Sequence, residues 1–339
     1  MNRIGVVVIG RNEGARLERC LKSVVGRAAH VVYVDSGSTD QSVEAATRLG
    51  AEAIELTQSK KFTAARARNA GFAAMTPDIE FVQFVDGDCE VDPQWMEKAV
   101  AELRDKPTVA VVCGRRRERF PDASVYNTLC DMEWDTPIGL AKACGGDAMV
   151  RVSALAAVDG YKSELIAGEE PELCVRLRSA GWQVLRIDAE MSLHDADMHH
   201  FSQWWRRNIR NGHAFAEGSS MHGSGLDRHW AKETRSNWIW GLIVPLIVLL
   251  TAWPTYGVSL LLLGVYPFQA FRIFRYARRR GWAARESFLY ASFCVLGKFP
   301  QVIGQIVYRL RSLQGSETQL IEYKTASASG VQIEGVDRP

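Results

Sequence analysis

The chain has 339 residues, 47% of them hydrophobic, and a formal net charge of +2. This length allows one large buried core or one domain with an appendage, and so small a charge argues against nucleic-acid binding by bulk electrostatics. The seven cysteines are scattered without a C-x-x-C pair. Their spacing argues against a disulfide or zinc framework and indicates reduced, mostly buried thiols in a cytosolic setting.

Apolar segments rich in β-branched residues alternate with helical patterns in the N-terminal part of the chain. The first apolar run is too short for the core of a signal peptide and is typical of a first strand. The predicted order is strand Ile4–Ile9, helix Glu13–Val24, strand Val31–Val34, helix Asp40–Leu49, strand Ala53–Leu56, a helix around Ala64–Met75, and strands Phe81–Val85 and Val109–Cys113. This alternation predicts an α/β fold with a mostly parallel, Rossmann-like sheet flanked by helices.

A dinucleotide-binding motif would lie in the loop after the first strand. It reads Gly10-Arg-Asn-Glu-Gly14 and lacks the second glycine of G-x-G-x-x-G. The three bulky residues between the glycines would crowd a pyrophosphate. A Rossmann oxidoreductase is therefore disfavoured.

The strand Phe81–Val85 runs directly into two acids, Asp86 and Asp88, separated by one glycine. Neighbouring carboxylates repel each other unless a cation, a proton or bulk water relieves them. A surface turn, a helix cap and a site for a hard metal ion are the three interpretations. Asp35 also ends a strand, and ligands of parallel sheets bind beyond the carboxyl ends of the strands, which favours a shared site over a cap.

The stretch GEEPELCVRLRSAGW predicts a helix with Pro171 in its first turn and Gly181 at its end. Glu169 and Glu170 are expected just before this helix, near its positive end, where an ionised carboxylate is stabilised. An ionised carboxylate suits a general base. The alternative is that these acids, with Glu172, merely stabilise the helix start.

The C-terminal third changes composition. Asn237–Phe271 contains no charged residue, and its length allows two short membrane spans with a break at Trp253–Tyr256. A transmembrane hairpin over residues 236–272 is therefore predicted, with a buried core hairpin as the alternative. Basic residues flank both sides, so both ends and the domain over residues 1–235 are expected in the cytoplasm, at the inner membrane: Lys232, Arg235, Arg272, Arg275, Arg278, Arg279 and Arg280.

Residues 273–313 are predicted to form a basic loop followed by an apolar segment at 287–310 that Lys298 and Pro300 interrupt. This segment suits a third span, a re-entrant piece or an interfacial helix, and the interfacial helix is favoured. Residues 314–339 are predicted to be a flexible polar tail.

Seven blocks in order resemble the family-2 glycosyltransferases of GT-A fold, over roughly residues 4–215. They are VVVIGRNEGARLERCLKSV, VVYVDSGSTDQS, AARARNAGF, FVDGDCEVDP, ACGGDAMVRVSAL, GEEPELCVRLRSAGW and FSQWWRR. The resemblance implies a GT-A-type sheet domain and a nucleotide-sugar donor. It also implies that the D-x-D acids bind a divalent cation, Mg²⁺ or Mn²⁺, which bridges the donor diphosphate.

By this resemblance Asp88 reaches the metal directly, and Asp86 contacts ribose or a metal-bound water. Asp35 accepts hydrogen bonds from a uracil-like base, which favours a UDP-sugar, although Ser36 stands where the family often has a second acid. Further candidates for nucleotide contacts are Arg11, Glu13 and Arg68, with a solvated helix arginine as the alternative for Arg68.

The resemblance also places a catalytic base at Glu170, where this chain has Glu-Glu instead of the usual Glu-Asp. Gly146, Asp147 and Glu169 are then expected near the sugar and acceptor. His194 either completes the metal shell or is structural. A zinc site formed by His194, His199 and His200 is a further alternative, but it lacks matching cysteines.

The block Gln203–Arg207 resembles the Q-x-x-R-W element of processive relatives without its final Trp, which argues against a processive polymerase. Arg206 is expected to contact diphosphate and Trp204 to flank the acceptor.

The predicted function is an inverting, metal-assisted transfer of a sugar from a nucleotide-sugar to a lipid-linked glycan or another membrane acceptor, in surface polysaccharide biosynthesis. One base and a metal-held leaving group, with no second nucleophilic carboxylate evident, imply inversion. The alternatives are a sugar-nucleotide nucleotidyltransferase and a membrane protein that binds a nucleotide-sugar without turnover. No nucleic-acid partner is expected.

Overall fold

A mixed β-sheet of nine strands forms the centre of the N-terminal domain in the computed structural model, which describes residues 3–57 and 61–315. The strands are β1 Ile4–Gly10, β2 His30–Asp35, β3 Glu52–Glu55, β4 Phe81–Asp86, β5 Cys89–Val91, β6 Val109–Glu118, β7 Gly139–Leu140, β8 Ala148–Arg151 and β9 Gln183–His194. The helices of this domain are α1 Ala15–Val24, α2 Ser42–Leu49, α3 Ala64–Ala73, α4 Trp95–Asp105, α5 Val125–Trp134, α6 Val152–Ala157, α7 Glu169–Ser179 and α8 Phe201–His222.

The strands lie in the order β3-β2-β1-β4-β8-β6-β9-β5, and β7 pairs with β9. The pairings β3·β2, β2·β1 and β1·β4 are parallel, whereas β8 is antiparallel to both β4 and β6. The predicted mostly parallel sheet with flanking helices is confirmed. The short strand β8, which the strand–helix alternation did not predict, separates β4 from β6.

Central strand β1 is buried on both faces because helices cover both sides of the sheet. Val6, Val7 and Val8 are fully buried, and so is Leu17 of α1. Burying each such side chain contributes about 1.5–3 kcal/mol. On α3, a Cβ added at Gly71 would lie 3.0 Å from a methyl carbon of Val7, so only glycine allows α3 to pack this closely on β1.

The strand register brings the predicted acids to one edge of the sheet. Gly10 pairs with Asp35 and Ile9 pairs with Asp86, so the carboxyl ends of β1, β2 and β4 lie side by side. The antiparallel pairing of β5 with β9 sets Cys89 opposite His194, which brings His194 next to Asp88. This edge is where ligands of open α/β sheets bind.

Two helical stretches after the sheet domain are long and apolar enough to cross a membrane. Ala231–Thr251 comprises α9 Ala231–Trp238, a π-helical turn Ile239–Ile243 and α10 Val244–Thr251. Val258–Arg279 comprises a 3₁₀ segment Val258–Gly264 and α11 Val265–Arg279. Only 22% and 6% of their apolar windows are buried, which is far less burial than the alternative of a core hairpin requires.

The apolar segment predicted at 287–310 forms parts of two helices, α12 Ala284–Leu296 and α13 Lys298–Leu313. Helix α13 packs along α8 of the sheet domain, and glycines on both helices permit the close approach. A Cβ on Gly304 would collide with the carbonyl oxygen of Ile209 and lie 2.7 Å from the backbone nitrogen of His213. Residues 316–339, most of the predicted tail, lie outside the described residues.

We expect Gly304→Ala to destabilise the protein by about 1–3 kcal/mol, because the added methyl group meets backbone atoms that cannot rotate away. Thermal unfolding followed by near-UV circular dichroism would measure the change. The control is Gly264→Ala, since no atom of residues 3–57 and 61–315 outside its chain neighbours lies within 4 Å of a Cβ built there. Equal stability of the two variants would contradict the tight packing of α13 on α8.

Candidate functional site

A cavity of about 640 Å³ opens at the carboxyl edge of the parallel strands, between the sheet and helices α7 and α8. Nine of the thirteen residues predicted for the site line it, namely Arg11, Glu13, Arg68, Asp86, Asp88, Gly146, Glu169, Glu170 and His194. Residues from β1, α3, β4, α7 and β9 thus converge on one hollow. The other four, Asp35, Asp147, Trp204 and Arg206, do not line it.

Arg68 of α3 joins two of the acids across the cavity. Its guanidinium donates to Asp86 at 2.8 Å and to Glu169 at 2.7 Å, and its side chain is 2% exposed. Burial alone would lower the pKa of Arg68, but the charges of Asp86 and Glu169 raise it. For Glu169, burial opposes ionisation and Arg68 and Arg210 favour it, with a lowered pKa as the result. Both groups are therefore charged at neutral pH.

Asp147 is fully buried and does not line the cavity, so its expected contact with a sugar hydroxyl stays a prediction. Its carboxylate accepts from the Asp86 backbone nitrogen at 3.0 Å, from Ser192 Oγ at 2.6 Å and from Arg116 at 2.7 Å. Despite its burial, Arg116 and Ser192 lower the pKa of Asp147. Asp147 therefore anchors the end of β4 and holds Arg116 beside Asp86.

Gly146 does line the cavity, and it leaves room for the charged groups beside it. A Cβ at this position would lie 2.8 Å from Asp86 Oδ2 and 2.9 Å from a guanidinium nitrogen of Arg68. A larger residue would displace one of these two side chains, so the glycine keeps the backbone close to the Asp86–Arg68 pair.

Asp88 and His194 form a pair suited to a divalent cation. His194 Nδ1 lies 3.2 Å from Glu118, and its Nε2 lies 3.4 Å from Asp88 Oδ2. When Nδ1–H donates to Glu118, the lone pair on Nε2 faces an oxygen of Asp88. The repulsion between these two groups is relieved only by a cation or a proton between them. Burial would lower the pKa of His194, but Asp88 and Glu118 raise it. Asp88 and His194 therefore fit as metal ligands.

The alternative zinc site is wrong for the described residues, because the three histidines serve different local structures. His199 pairs with Asp197 at 3.1 Å on the surface, and His200 caps the start of α8. Among the described residues, two groups of side chains could hold a metal ion. One is Asp88 with Cys89 and His194, and the other is Glu170 with Cys144 and Cys174.

Glu169 and Glu170 are the first two residues of α7, whereas the sequence predicted that they precede the helix. The helix starts at Glu169 because Gly168, in the left-handed conformation, is its N-cap. Glu170 Oε1 accepts from the Cys144 backbone nitrogen and, at 3.0 Å each, from the thiols of Cys144 and Cys174. Among the described residues, these hydrogen bonds of the carboxylate all end on Oε1, so Oε2 is the atom that can accept a proton from a hydroxyl in the cavity.

Asp35 is 1% exposed and is engaged within its own loop, so it does not line the cavity as the predicted base contact would. Its carboxylate accepts from Tyr33 Oη at 2.8 Å, from Gly37 N at 2.9 Å and from Ser38 N at 2.7 Å. Ser36, directly after it, does line the cavity. Direct contact between Asp35 and a nucleotide base requires some of these hydrogen bonds to be exchanged.

Helix α8 presents a different face to the cavity than the sequence suggested. Arg206 is exposed to solvent and Trp204 is buried, its ring 4.8 Å from that of Phe293 of α12. The residues that line the cavity are Arg207, Arg210, Asn211, Ala214 and Phe215, which follow the helical repeat of 3.6 residues. The cavity wall does not include Arg206 or Trp204, and their expected contacts with diphosphate and acceptor stay predictions.

Several lining residues were not among the predicted site residues. Arg116 of β6 lies 3.4 Å from Asp86 Oδ2, and its guanidinium carbon lies 5.3 Å from the Trp134 ring centre. Arg116 and Glu118 share one face of β6, and period-two alternation along the run of three arginines could have identified them. The other unpredicted aromatic residues of the wall are Phe62, Phe215 and Trp230.

Residues 5–140 match the family described as Glycosyl transferase family 2. A pre-mycofactocin glycosyltransferase of Mycobacterium tuberculosis is 30% identical over 207 residues, which cover 57% of this chain and 42% of that protein. Glycosyltransferase AglE of Haloferax volcanii is 24% identical over 208 residues, covering 57% of this chain and 67% of AglE. The chain thus spans less than half the length of the mycobacterial relative.

The solved structure of the mannosyltransferase PcManGT from Pyrobaculum calidifontis, in complex with GDP-Man and Mn²⁺, is similar in fold. It has a TM-score of 0.57 and 19% sequence identity, and the superposition covers 86% of each chain. The GT-A-type architecture expected from the sequence is therefore confirmed.

Proposed function

We propose that this chain, which carries a family-2 glycosyltransferase domain, transfers a sugar from a UDP-sugar to a hydroxyl of a lipid-linked glycan at the cytoplasmic face of the inner membrane. The observation that supports this most strongly is the convergence of Asp86, Asp88, His194 and Glu170 on one cavity at the carboxyl edge of the sheet. An activated sugar and the hydroxyl that attacks it must be held close together in one cavity for transfer to occur.

The donor diphosphate is proposed to lie near Asp88 and His194, with Arg68 and Arg116 beside it. A divalent cation, Mg²⁺ or Mn²⁺, would be held by Asp88 and His194 and would offset the charge of the leaving diphosphate. Carboxylate and imidazole ligands suit this role. The fold relative PcManGT was solved with GDP-Man and Mn²⁺, which supports a nucleotide-sugar donor and a divalent cation.

Glu170 is proposed as the general base. Glu169 is neutralised by Arg68, whereas the partners of Glu170 are one backbone N–H and two thiols, none of which is a cation. Glu170 Oε2 takes the proton of the acceptor hydroxyl, and the hydroxyl oxygen then attacks the anomeric carbon from the side opposite the diphosphate. This displacement inverts the configuration at that carbon.

The membrane proposal rests on apolar side chains that the described part of the protein leaves uncovered. Leu249 is 74% exposed, Trp253 92% and Tyr256 99%, at or near the turn between the two long helices. Aromatic residues at such a turn suit the membrane interface. Basic residues at both outer ends support a cytoplasmic position for the sheet domain, and a lipid-linked acceptor would then reach the cavity from the same bilayer.

The test is transfer of radiolabelled sugar from UDP-sugars, with GDP-sugars in parallel, into a membrane lipid extract in the presence of Mn²⁺. We expect label in the lipid fraction together with release of an equal amount of UDP, and an anomeric configuration in the product opposite to that of the donor. Release of diphosphate from a nucleoside triphosphate would instead indicate a nucleotidyltransferase. Donor binding without any transfer would indicate a non-catalytic protein.

A further inference from the structure

A second group of potential metal ligands surrounds the proposed base. Cys144 belongs to the loop between β7 and β8, and Cys174 follows Glu170 by one turn on α7. Each sulfur lies 3.0 Å from Glu170 Oε1, and the two sulfurs lie 3.8 Å apart. The three ligand atoms therefore converge on one point beside the cavity.

The spacing of the two sulfurs matches a tetrahedral zinc site. Zinc–sulfur bonds of about 2.3 Å at the tetrahedral angle set two thiolate sulfurs about 3.8 Å apart. Sulfur ligands select zinc and similar soft cations, whereas Mg²⁺ and Mn²⁺ prefer oxygen. This group also differs from the Asp88 group, which contributes only one sulfur, that of Cys89.

One of the three proposed ligands, Glu170, faces the cavity. Glu170 and Gly145 line the cavity wall, and Cys144 is half-buried. Apart from its chain neighbours, no atom of the described residues lies within 4 Å of a Cβ built on Gly145, so there is open space beside this residue, which follows Cys144. A small cation can therefore approach the group from the side of Glu170 and Cys144, whereas Cys174 is fully buried.

We propose that Cys144, Glu170 and Cys174 form an inhibitory site for a thiophilic divalent cation of the zinc class. Binding forms two metal–sulfur bonds and one metal–oxygen bond, and it releases the two thiol protons to solvent. A carboxylate that binds the cation no longer serves as a base, so transfer stops. The inhibition rests on the proposed function of Glu170, whereas the binding does not.

Binding is tested with Co²⁺, which gives a thiolate-to-cobalt charge-transfer absorption when cysteine ligates it. The reduced full-length protein in detergent is titrated with a non-thiol reductant present. We expect this absorption in the wild type and at least a tenfold loss of Co²⁺ affinity at this site in Cys144→Ser and in Cys174→Ser. Cys89→Ser is the matched control, because it alters the sulfur of the other group and should keep the absorption.

The site is overturned if the wild type gives no charge-transfer absorption, or if Cys89→Ser removes it while Cys144→Ser does not. Inhibition is tested by adding Zn²⁺ to the transfer assay at saturating Mn²⁺, with each variant compared to itself without Zn²⁺. We expect Cys144→Ser to need at least tenfold more Zn²⁺ for half inhibition, and equal sensitivity would overturn the inhibitory role. A protein that binds Co²⁺ through these cysteines yet transfers no sugar would contradict the proposed function alone.

Discussion

Glu170→Gln is expected to lower the rate of sugar transfer by about 10²- to 10⁴-fold, the usual contribution of a general base. The amide has nearly the shape of the carboxylate, and its oxygen can still accept the hydrogen bond from the Cys144 backbone nitrogen. It cannot accept the acceptor proton as a carboxylate does, so attack on the anomeric carbon slows. Single-turnover transfer from a radiolabelled UDP-sugar measures this step directly.

The matched control is Glu164→Gln, which makes the same chemical change at an exposed position that does not line the cavity. Its transfer rate should equal that of the wild type. Calorimetric affinity for UDP in the presence of Mn²⁺ should be unchanged in Glu170→Gln, because the residues proposed to hold the diphosphate lie elsewhere in the cavity. Full transfer activity in Glu170→Gln would remove this residue from the mechanism.

The sequence was most informative about the parallel half of the sheet. Buried parallel strands have continuous apolar sequences. The apolar sequences of β1, β2 and β4 are easy to recognise because helical patterns separate them. The acids at their ends follow directly, because parallel strands align their carboxyl ends. Strand β8 was missed because its four residues, Ala148–Arg151, form a short segment whose strand character depends on antiparallel neighbours far along the chain.

The direction in which a side chain points was harder to predict than its place along the chain. Arg206 and Arg207 are adjacent, yet a rotation of about 100° per residue sends one to solvent and the other to the cavity. Asp147 ends in the interior because Arg116 and Ser192, from two other strands, neutralise and solvate it there. Such distant partners leave no local signal in the sequence.

Helix α8 connects the two parts of the molecule. One face carries Arg207, Arg210 and Phe215 on the cavity wall. Elsewhere along the helix, Gly212 packs against α13, where a Cβ would lie 2.6 Å from the Gln301 carbonyl carbon. Helix α13 also packs against the first apolar stretch, where a Cβ on Gly241 would lie 2.9 Å from the Lys298 carbonyl carbon. Helices α13 and α8 therefore link that stretch to the cavity wall.

Asp88→Asn is expected to weaken the Mn²⁺-dependent part of UDP binding by at least about tenfold, or about 1.4 kcal/mol. Asparagine keeps the size of the side chain but removes the negative charge, and the buried Nε2 of His194 then faces a neutral amide at the proposed cation site. Calorimetric titrations of UDP with and without Mn²⁺ measure the effect as a ratio of the two affinities. Asp105→Asn, at an exposed position on α4, is the control and should keep the wild-type ratio.

The double variant Asp88→Asn with His194→Ala makes the test sharper. If both side chains hold one cation, either single change should remove most of the Mn²⁺ effect, and the second change should add little. Independent roles would instead give losses that multiply. An unchanged ratio in Asp88→Asn, or fully multiplicative losses in the double variant, would contradict a cation shared by these two residues.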